Sequence, residues 1–329
     1  MRKSTYLFTA ILMILSIGIY YAGCSSDPVS TPSGGTTTSI KANGSIQQIT
    51  RTNSTGTLVV VDQNGAPITG LTGSNVSAFM RWGAKAADSV SGAVTITSNT
   101  GSGKNIAGSV TMDYSGSMYQ NQILCMQSGV KTYVGAMSSN DLTEIIKFDN
   151  RVLVAQNFTS DKTLLNRAVD SVYSLGGTTA LYQSIYKGVQ DVQGYNSSSY
   201  IKSVIAFTDG GENASTVTRA QMITEALTYA VPVFSIYLAS DSNNSQARDM
   251  RNIADTTGGF FFWAKPDSTC NSSLSGVYNT IKGQIAGSYA MNITWPGGTL
   301  PPTGTLITIT IYVTHSGMSS SFSKAFLIL

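Results

Sequence analysis

Apolar positions in the middle of the chain follow two alternating rhythms. Ile123, Met126, Val130, Tyr133 and Met137 recur at steps of three and four, which puts one apolar face on a helix. Leu165, Ala168 and Val172 mark a second helix, and Tyr182, Ile185, Val189 and Val192 a third. Short apolar runs lie between these patterns. Glu144 to Phe148 reads as a strand, and Val204-Ile205-Ala206-Phe207 is continuous, as in a strand covered on both faces. Further helices are predicted over Ala220 to Tyr229, Ala247 to Ala254 and Leu274 to Ile285, with strands at Val231 to Tyr237 and Gly259 to Trp263. Ile106 to Met112 is poor in bulky apolar residues and is read as a strand from its position alone. This alternation predicts an α/β unit over residues 106–288, a doubly wound, mainly parallel sheet with helices on both faces.

The flanks have a different rhythm. Thr57 to Asp62, the turn dipeptide Asn64-Gly65 and Pro67 to Thr69 read as a hairpin, with further strands at Val76 to Arg81 and Ala93 to Thr97. Strands return at Ala290 to Thr294, Leu306 to Val313 and Phe322 to Leu329. The terminal segment, residues 289–329, is too short for a sandwich of its own, so its strands are expected to complete a small β-sandwich begun by residues 49–105. The α/β unit would then be an insertion in, or flanked by, a split β domain. Residues 24–48, rich in Ser, Thr, Gly and Pro, are expected to form a flexible tether.

Residues 1–23 have the parts of a secretory signal: Arg2 and Lys3, an apolar stretch, and Ala22-Gly23 before Cys24. The Ala-Gly-Cys ending resembles the lipobox of bacterial lipoproteins, although Tyr21 stands where an aliphatic residue is usual. That resemblance implies acylation at Cys24 and a lipid-anchored address in a bacterial cell envelope, at the outer membrane or cell surface. Cys125 and Cys270 are read as separate thiols, with a disulfide between them as the alternative. Without Arg2 and Lys3, the 20 basic residues fall to 18 against 17 acidic ones, so no basic field argues for nucleic acid.

The chemistry concentrates in three runs. Asp113-Tyr114-Ser115-Gly116-Ser117 brings a carboxylate and two hydroxyls to one turn, and such hard oxygens suit Mg²⁺ and similar ions. Gly176-Gly177-Thr178-Thr179 and Phe207-Thr208-Asp209-Gly210-Gly211 fall where strands end or helices begin, so all three loops are expected at one edge of the sheet. In this order they resemble the metal-ion-dependent adhesion site of von Willebrand factor type A domains. The resemblance implies that Asp113, Ser115, Ser117, Thr178 and Asp209 hold a divalent cation, Mg²⁺ first with Mn²⁺ or Ca²⁺ as alternatives, and that Thr179 is the alternative to Thr178. It also implies an open cation position that captures Asp or Glu of a protein partner, with movement of the helix over Leu274 to Ile285 as a candidate switch.

The expected function is therefore a surface-anchored, metal-dependent adhesion module, with an envelope assembly or regulatory subunit as the second reading. Hydrolysis is the third, and the residues disfavour it. The one histidine, His315, lies in the terminal β segment, and Gly-x-Ser-x-Gly is absent around Ser115. Gly176 to Thr179 also lacks the lysine and spacing of a phosphate-binding loop. Trp82, Trp263 and Trp295 are expected in packing rather than at a ligand.

Overall fold

The computed structural model describes residues 36–265, 273–298 and 300–328. The proposed signal, Cys24 and Cys270 lie outside the described residues. Among those described, no helix is long and apolar enough to cross a membrane.

The α/β unit is built on β5 (Asn105–Asp113), β6 (Leu142–Phe148), β7 (Val152–Thr159), β8 (Tyr200–Thr208), β9 (Val233–Leu238) and β10 (Phe261–Ala264). Their order across the sheet is β10-β9-β8-β5-β6-β7, and every pair is parallel except β6 with β7. The helices are α1 (Gln120–Gly135), α2 (Lys162–Asp170), α3 (Leu181–Val192), α4 (Arg219–Thr228), α5 (Ser245–Thr257) and α6 (Ser273–Ala286). Helices α1, α2 and α6 cover one face, through Ile123, Met126, Val130, Leu165, Val277 and Ile281. On the other face lie α3, α4 and α5, through Ile185, Val189, Met222, Ala226 and Ile253.

Two expectations in this unit need correction. Val172 does not belong to a helix: α2 stops at Asp170 and Val172 is fully exposed. The buried Lys147 ends it, because its Nζ donates to Val169 O (3.0 Å) and Ser171 O (2.6 Å), offering a cation to the helix C-terminus. Strand β7 was not expected. It returns antiparallel to β6 after a tight turn in which Arg151 N donates to Asp149 Oδ1 at 2.7 Å.

The flanking strands form one antiparallel sheet: β1 (Ile40–Thr50), β2 (Asn53–Asp62), β3 (Val76–Arg81), β4 (Ser89–Ser98), β11 (Tyr289–Thr294), β12 (Leu306–His315) and β13 (Met318–Leu327). Their order is β1-β2-β11-β4-β3-β12-β13, so strands from the end of the chain sit between strands from its start. The α/β unit is thus inserted into this sheet. The expected sandwich is instead a single sheet curled nearly into a barrel. Its corner is in β4, where Ser89–Gly92 pair with β3 and Ala93–Ser98 with β11. A Cβ on Gly92 would lie 2.6 Å from Ile293 and 2.7 Å from the Trp295 ring, so glycine lets the strand bend over them. At the seam between the outer strands, Ala42 N donates to Ser320 Oγ at 2.9 Å.

Residues 40–48, expected in the tether, are part of β1. Small side chains made this stretch look unable to pack, yet close approach requires them. A Cβ on Gly44 would stand 2.0 Å from Thr57 O, and one on Gly56 1.9 Å from Ser45 O. The expected second hairpin strand after Asn64-Gly65 shrinks to one bridge, Val61 with Pro67, because β1 and β11 already flank β2. Cys125 is disulfide-bonded, not the separate thiol that was expected, and its partner lies outside the described residues.

The two units dock through β1 and β13 against the carboxyl-terminal ends of α4 and α5. Lys324 Nζ donates to Asp255 O (2.5 Å), Thr256 O (2.8 Å) and Asn43 Oδ1 (3.3 Å). Asn43 Nδ2 donates to Gly259 O (2.6 Å) and Gln47 Nε2 to Thr228 O (2.6 Å). Gly258 closes α5 in the left-handed region (φ 102°), and a Cβ there would be 2.3 Å from Gly44 C.

Candidate metal centre

Chain order and strand order part company between β5 and β8. From β5 the chain runs outward to β6 and β7, then returns to lay β8 on β5's other side. Loops leaving β5 and β8 therefore diverge, and the crevice between them is where open α/β sheets place ligands. Asp113 ends β5 and Thr208 ends β8, so parallel register brings them together. Thr208 Oγ1 donates to Asp113 Oδ2 at 2.5 Å, and Ser115 N donates to Asp113 Oδ1 at 2.7 Å. Ser115 Oγ lies 3.2 Å from Ser117 Oγ, which donates to Asp209 Oδ1 at 2.6 Å.

Four of the sequence-predicted residues thus form one cluster with a buried floor and an open rim. Asp113 and Ser115 are buried, whereas Ser117 is exposed and Asp209 half-buried. The two candidate threonines differ in placement. Thr178 is exposed, while Thr179 is buried, and an ideal Cβ on Gly210 would stand 2.9 Å from Ser117 Oγ and 3.9 Å from Thr179 Oγ1. While Thr178 points to the surface, Thr179 is therefore the threonine packed beside Gly210 and the cluster. Its orientation comes from the backbone, since Thr179 N donates to Asn213 Oδ1 at 2.7 Å.

Sequence reasoning missed the residues that hold these loops. Ala180 N donates to Asp149 O at 2.7 Å, and a Cβ on Gly176 would meet Asp149 Oδ2 at 2.4 Å. Burial pushes the Asp149 carboxyl up, but hydrogen bonds from Arg151 and Tyr173 outweigh it and hold the group below its ordinary value. Glu212 accepts from Tyr182 N (2.9 Å), Ala214 N (2.8 Å) and Ser215 N (2.6 Å), tying the third loop to the start of α3. Asn213 and Glu212 directly follow the Thr208-Asp209-Gly210-Gly211 run, and that adjacency was the available signal.

The electrostatics are those of an acidic site without a counter-charge. Burial raises Asp113 to about 6 against the hydrogen bonds from Thr208 and Ser115, and the Asp209 charge adds to the rise. Asp209 is also raised, again by burial. Neither forms an ion pair with lysine or arginine among the described residues. Among the described residues no three His, Cys, Asp or Glu side chains gather to hold a metal. Carboxylates and hydroxyls are hard donors, and this set fits a divalent cation that prefers oxygen. His315 is in β12 of the antiparallel sheet, away from these loops by topology.

A doubly wound α/β domain with an oxygen-lined crevice at its switch point is thereby defined. The family model of the von Willebrand factor type A domain matches residues 110–274, and the chain belongs to that family. The family is often involved in metal-dependent adhesion or protein interaction. Among solved structures, a von Willebrand factor type A protein from Catenulispora acidiphila is similar at 11% identity and a TM-score of 0.49, covering 91% of this chain and 74% of that one. Manganese-loaded TRAP protein from Plasmodium vivax is similar at 17% identity and a TM-score of 0.44, covering 71% and 96%. Proximal thread matrix protein 1 from the mussel byssus is similar at 18% identity and a TM-score of 0.47, covering 60% and 49%. Among curated proteins nothing matches.

Proposed function

We propose that this protein is a metal-dependent protein-binding module of the adhesion type. Asp113, Ser115, Ser117, Thr179 and Asp209 would hold the cation, with Mg²⁺ as the first choice. The observation that carries this reading is the hydrogen-bonded chain from Ser115 through Ser117 to Asp209, beside a buried, uncompensated Asp113. When bound, a hard divalent cation supplies an electrophilic position for a partner carboxylate oxygen. The chain's own contribution is positional. Thr208 and Ser115 N fix both oxygens of Asp113, and the Ser117 hydroxyl aligns Asp209 at the rim. Ser115 and Ser117 bond to each other, and Ser117 donates to the Asp209 carboxylate, with no histidine beside them among the described residues, which supports a binding role over a Ser–His nucleophile.

Capture is tested with the full chain on immobilised peptides bearing Asp and Glu, beside their Asn and Gln counterparts, in Mg²⁺ and in chelator. Retention on the acidic set alone, lost with chelator and in Asp209→Ala, is expected. Retention indifferent to chelator would overturn the reading. The lipid anchor at Cys24 and the bacterial envelope address belong to the same proposal and rest on residues 2–24. Mass spectrometry of the mature amino terminus checks them: an acylated Cys24 is expected, and an unmodified residue 24 inside an uncleaved chain would remove the anchor.

A further inference from the structure

The two units do not meet flush. Between the curled sheet and the end of the α/β unit opposite the metal loops lies a cleft of about 460 Å³, within the roughly 300–1,000 Å³ of small-ligand pockets. We propose that this cleft binds a saccharide carrying a carboxylate, as a free acidic sugar or as the end of an acidic glycan.

Its floor is the outer face of β2, β11 and β4. Strand register aligns Thr57, Ala290 and Thr97 in one row, and Thr55, Asn292 and Thr95 in the next. Residues two apart on a strand share a face, and neighbouring strands are about 4.8 Å apart. The floor therefore presents threonine hydroxyls and an amide on a fixed grid, with small Ala290 between them. Asn53 Nδ2 donates to Asn292 Oδ1 at 2.9 Å, which orients that amide. A grid of neutral donors and acceptors matches the hydroxyls of a sugar ring better than it matches an apolar ligand.

The walls add what a plain polar groove lacks. Tyr200 and Tyr229 line the cleft, and Tyr200 is braced edge-on by Tyr195 (ring centroids 5.3 Å apart). Such rings give a sugar an apolar face. Asn99, only 6% exposed, spends Nδ2 on Ser288 Oγ (2.8 Å), and its Oδ1 has no hydrogen-bond partner.

Charge sets the class of sugar. Lys104 and Lys202 line the cleft and no Asp or Glu does. Neither lysine has an ion-pair partner among the described residues, and Lys202 Nζ has only the long contact to Gln193 O at 3.4 Å. Two cations on a hydroxyl-rich cleft without carboxylates select an anionic sugar over a neutral one. This site is independent of the metal loops, because it sits at the amino-terminal end of β8 whereas Asp209 follows its carboxyl-terminal end.

The test is calorimetric titration of the full chain, in chelator, with D-galacturonate and digalacturonate beside galactose and galactobiose. Saturable binding of the acidic pair alone is expected. A larger affinity for the dimer assigns the site to glycan ends, and equal affinity assigns it to the free sugar. Lys104→Ala and Lys202→Met should each weaken binding at least about tenfold, the loss of one charge-assisted contact. Lys104→Ala, at the half-buried edge, keeps the test open should Lys202→Met lower stability. No saturable binding, equal binding of the neutral sugars, or affinity unchanged in Lys104→Ala would overturn the proposal.

Discussion

Lys324 and Asp113 are both buried charged side chains, Lys324 on β13 at the seam with α5 and Asp113 at the end of β5. The contrast between them separates a structural charge from a charge with a use. Lys324 is met by three oxygens, two of them the last carbonyls of α5, so the ammonium caps a helix and joins the domains together. Asp113 is met by the Thr208 hydroxyl and by the backbone N–H and side chain of Ser115, and the charge that acts on it is another carboxylate, Asp209. One end is finished by the protein itself. The other has no counter-charge among the described residues, and the proposed cation would supply it.

Removing Lys324 should therefore cost stability. Lys324→Met leaves the carbonyls of Asp255 and Thr256 without their donor, and a loss of about 2–3 kcal/mol is expected from buried acceptors left unmet. Denaturant unfolding followed by circular dichroism reads it. A loss no larger than that of an exposed Lys→Met control would mean that Lys324 is not the bolt described here.

Glu144 sharpens the comparison as a third way to bury a charge. It sits under Ser109, whose hydroxyl donates to Oε2 at 2.9 Å, and it is raised to about 8 first by burial and then by the Asp191 charge. Between about 4.5 and 8 the folded chain holds a proton that the unfolded chain has released. Glu144 should thus lend stability at low pH that fades as pH rises through this window. Glu144→Gln should flatten that slope, and melting temperatures measured from pH 5 to about 8 check it. An unchanged slope would show that the group is ionised in the folded state.

The same contrast marks what the sequence revealed. Helix α1 was legible because Ile123, Met126, Val130 and Tyr133 all turn inward; Met137 is buried too, just past its end. Asp113, Ser115, Ser117 and Asp209 were legible because each sits at a fixed offset from a strand end. What failed was whatever depended on distant partners. Strand β1 was hidden because Gly44 and Ser45 pack against residues more than ten positions away, and their smallness looked like disorder. Val172 fitted the helical spacing, but Lys147 ends the helix from across the sheet. Thr178 and Thr179 are equivalent in composition. Their difference comes from the fold: Asn213 holds the backbone at Thr179, which is buried beside Gly210, while Thr178 is exposed.

Calorimetric titration of the full chain with Mn²⁺ reads cation binding at these loops. One saturable site is expected, abolished in Asp209→Asn, weakened about tenfold in Thr179→Ala by loss of one oxygen ligand, and unaffected in Thr178→Ala. Absence of binding, or binding that survives Asp209→Asn, would contradict the account.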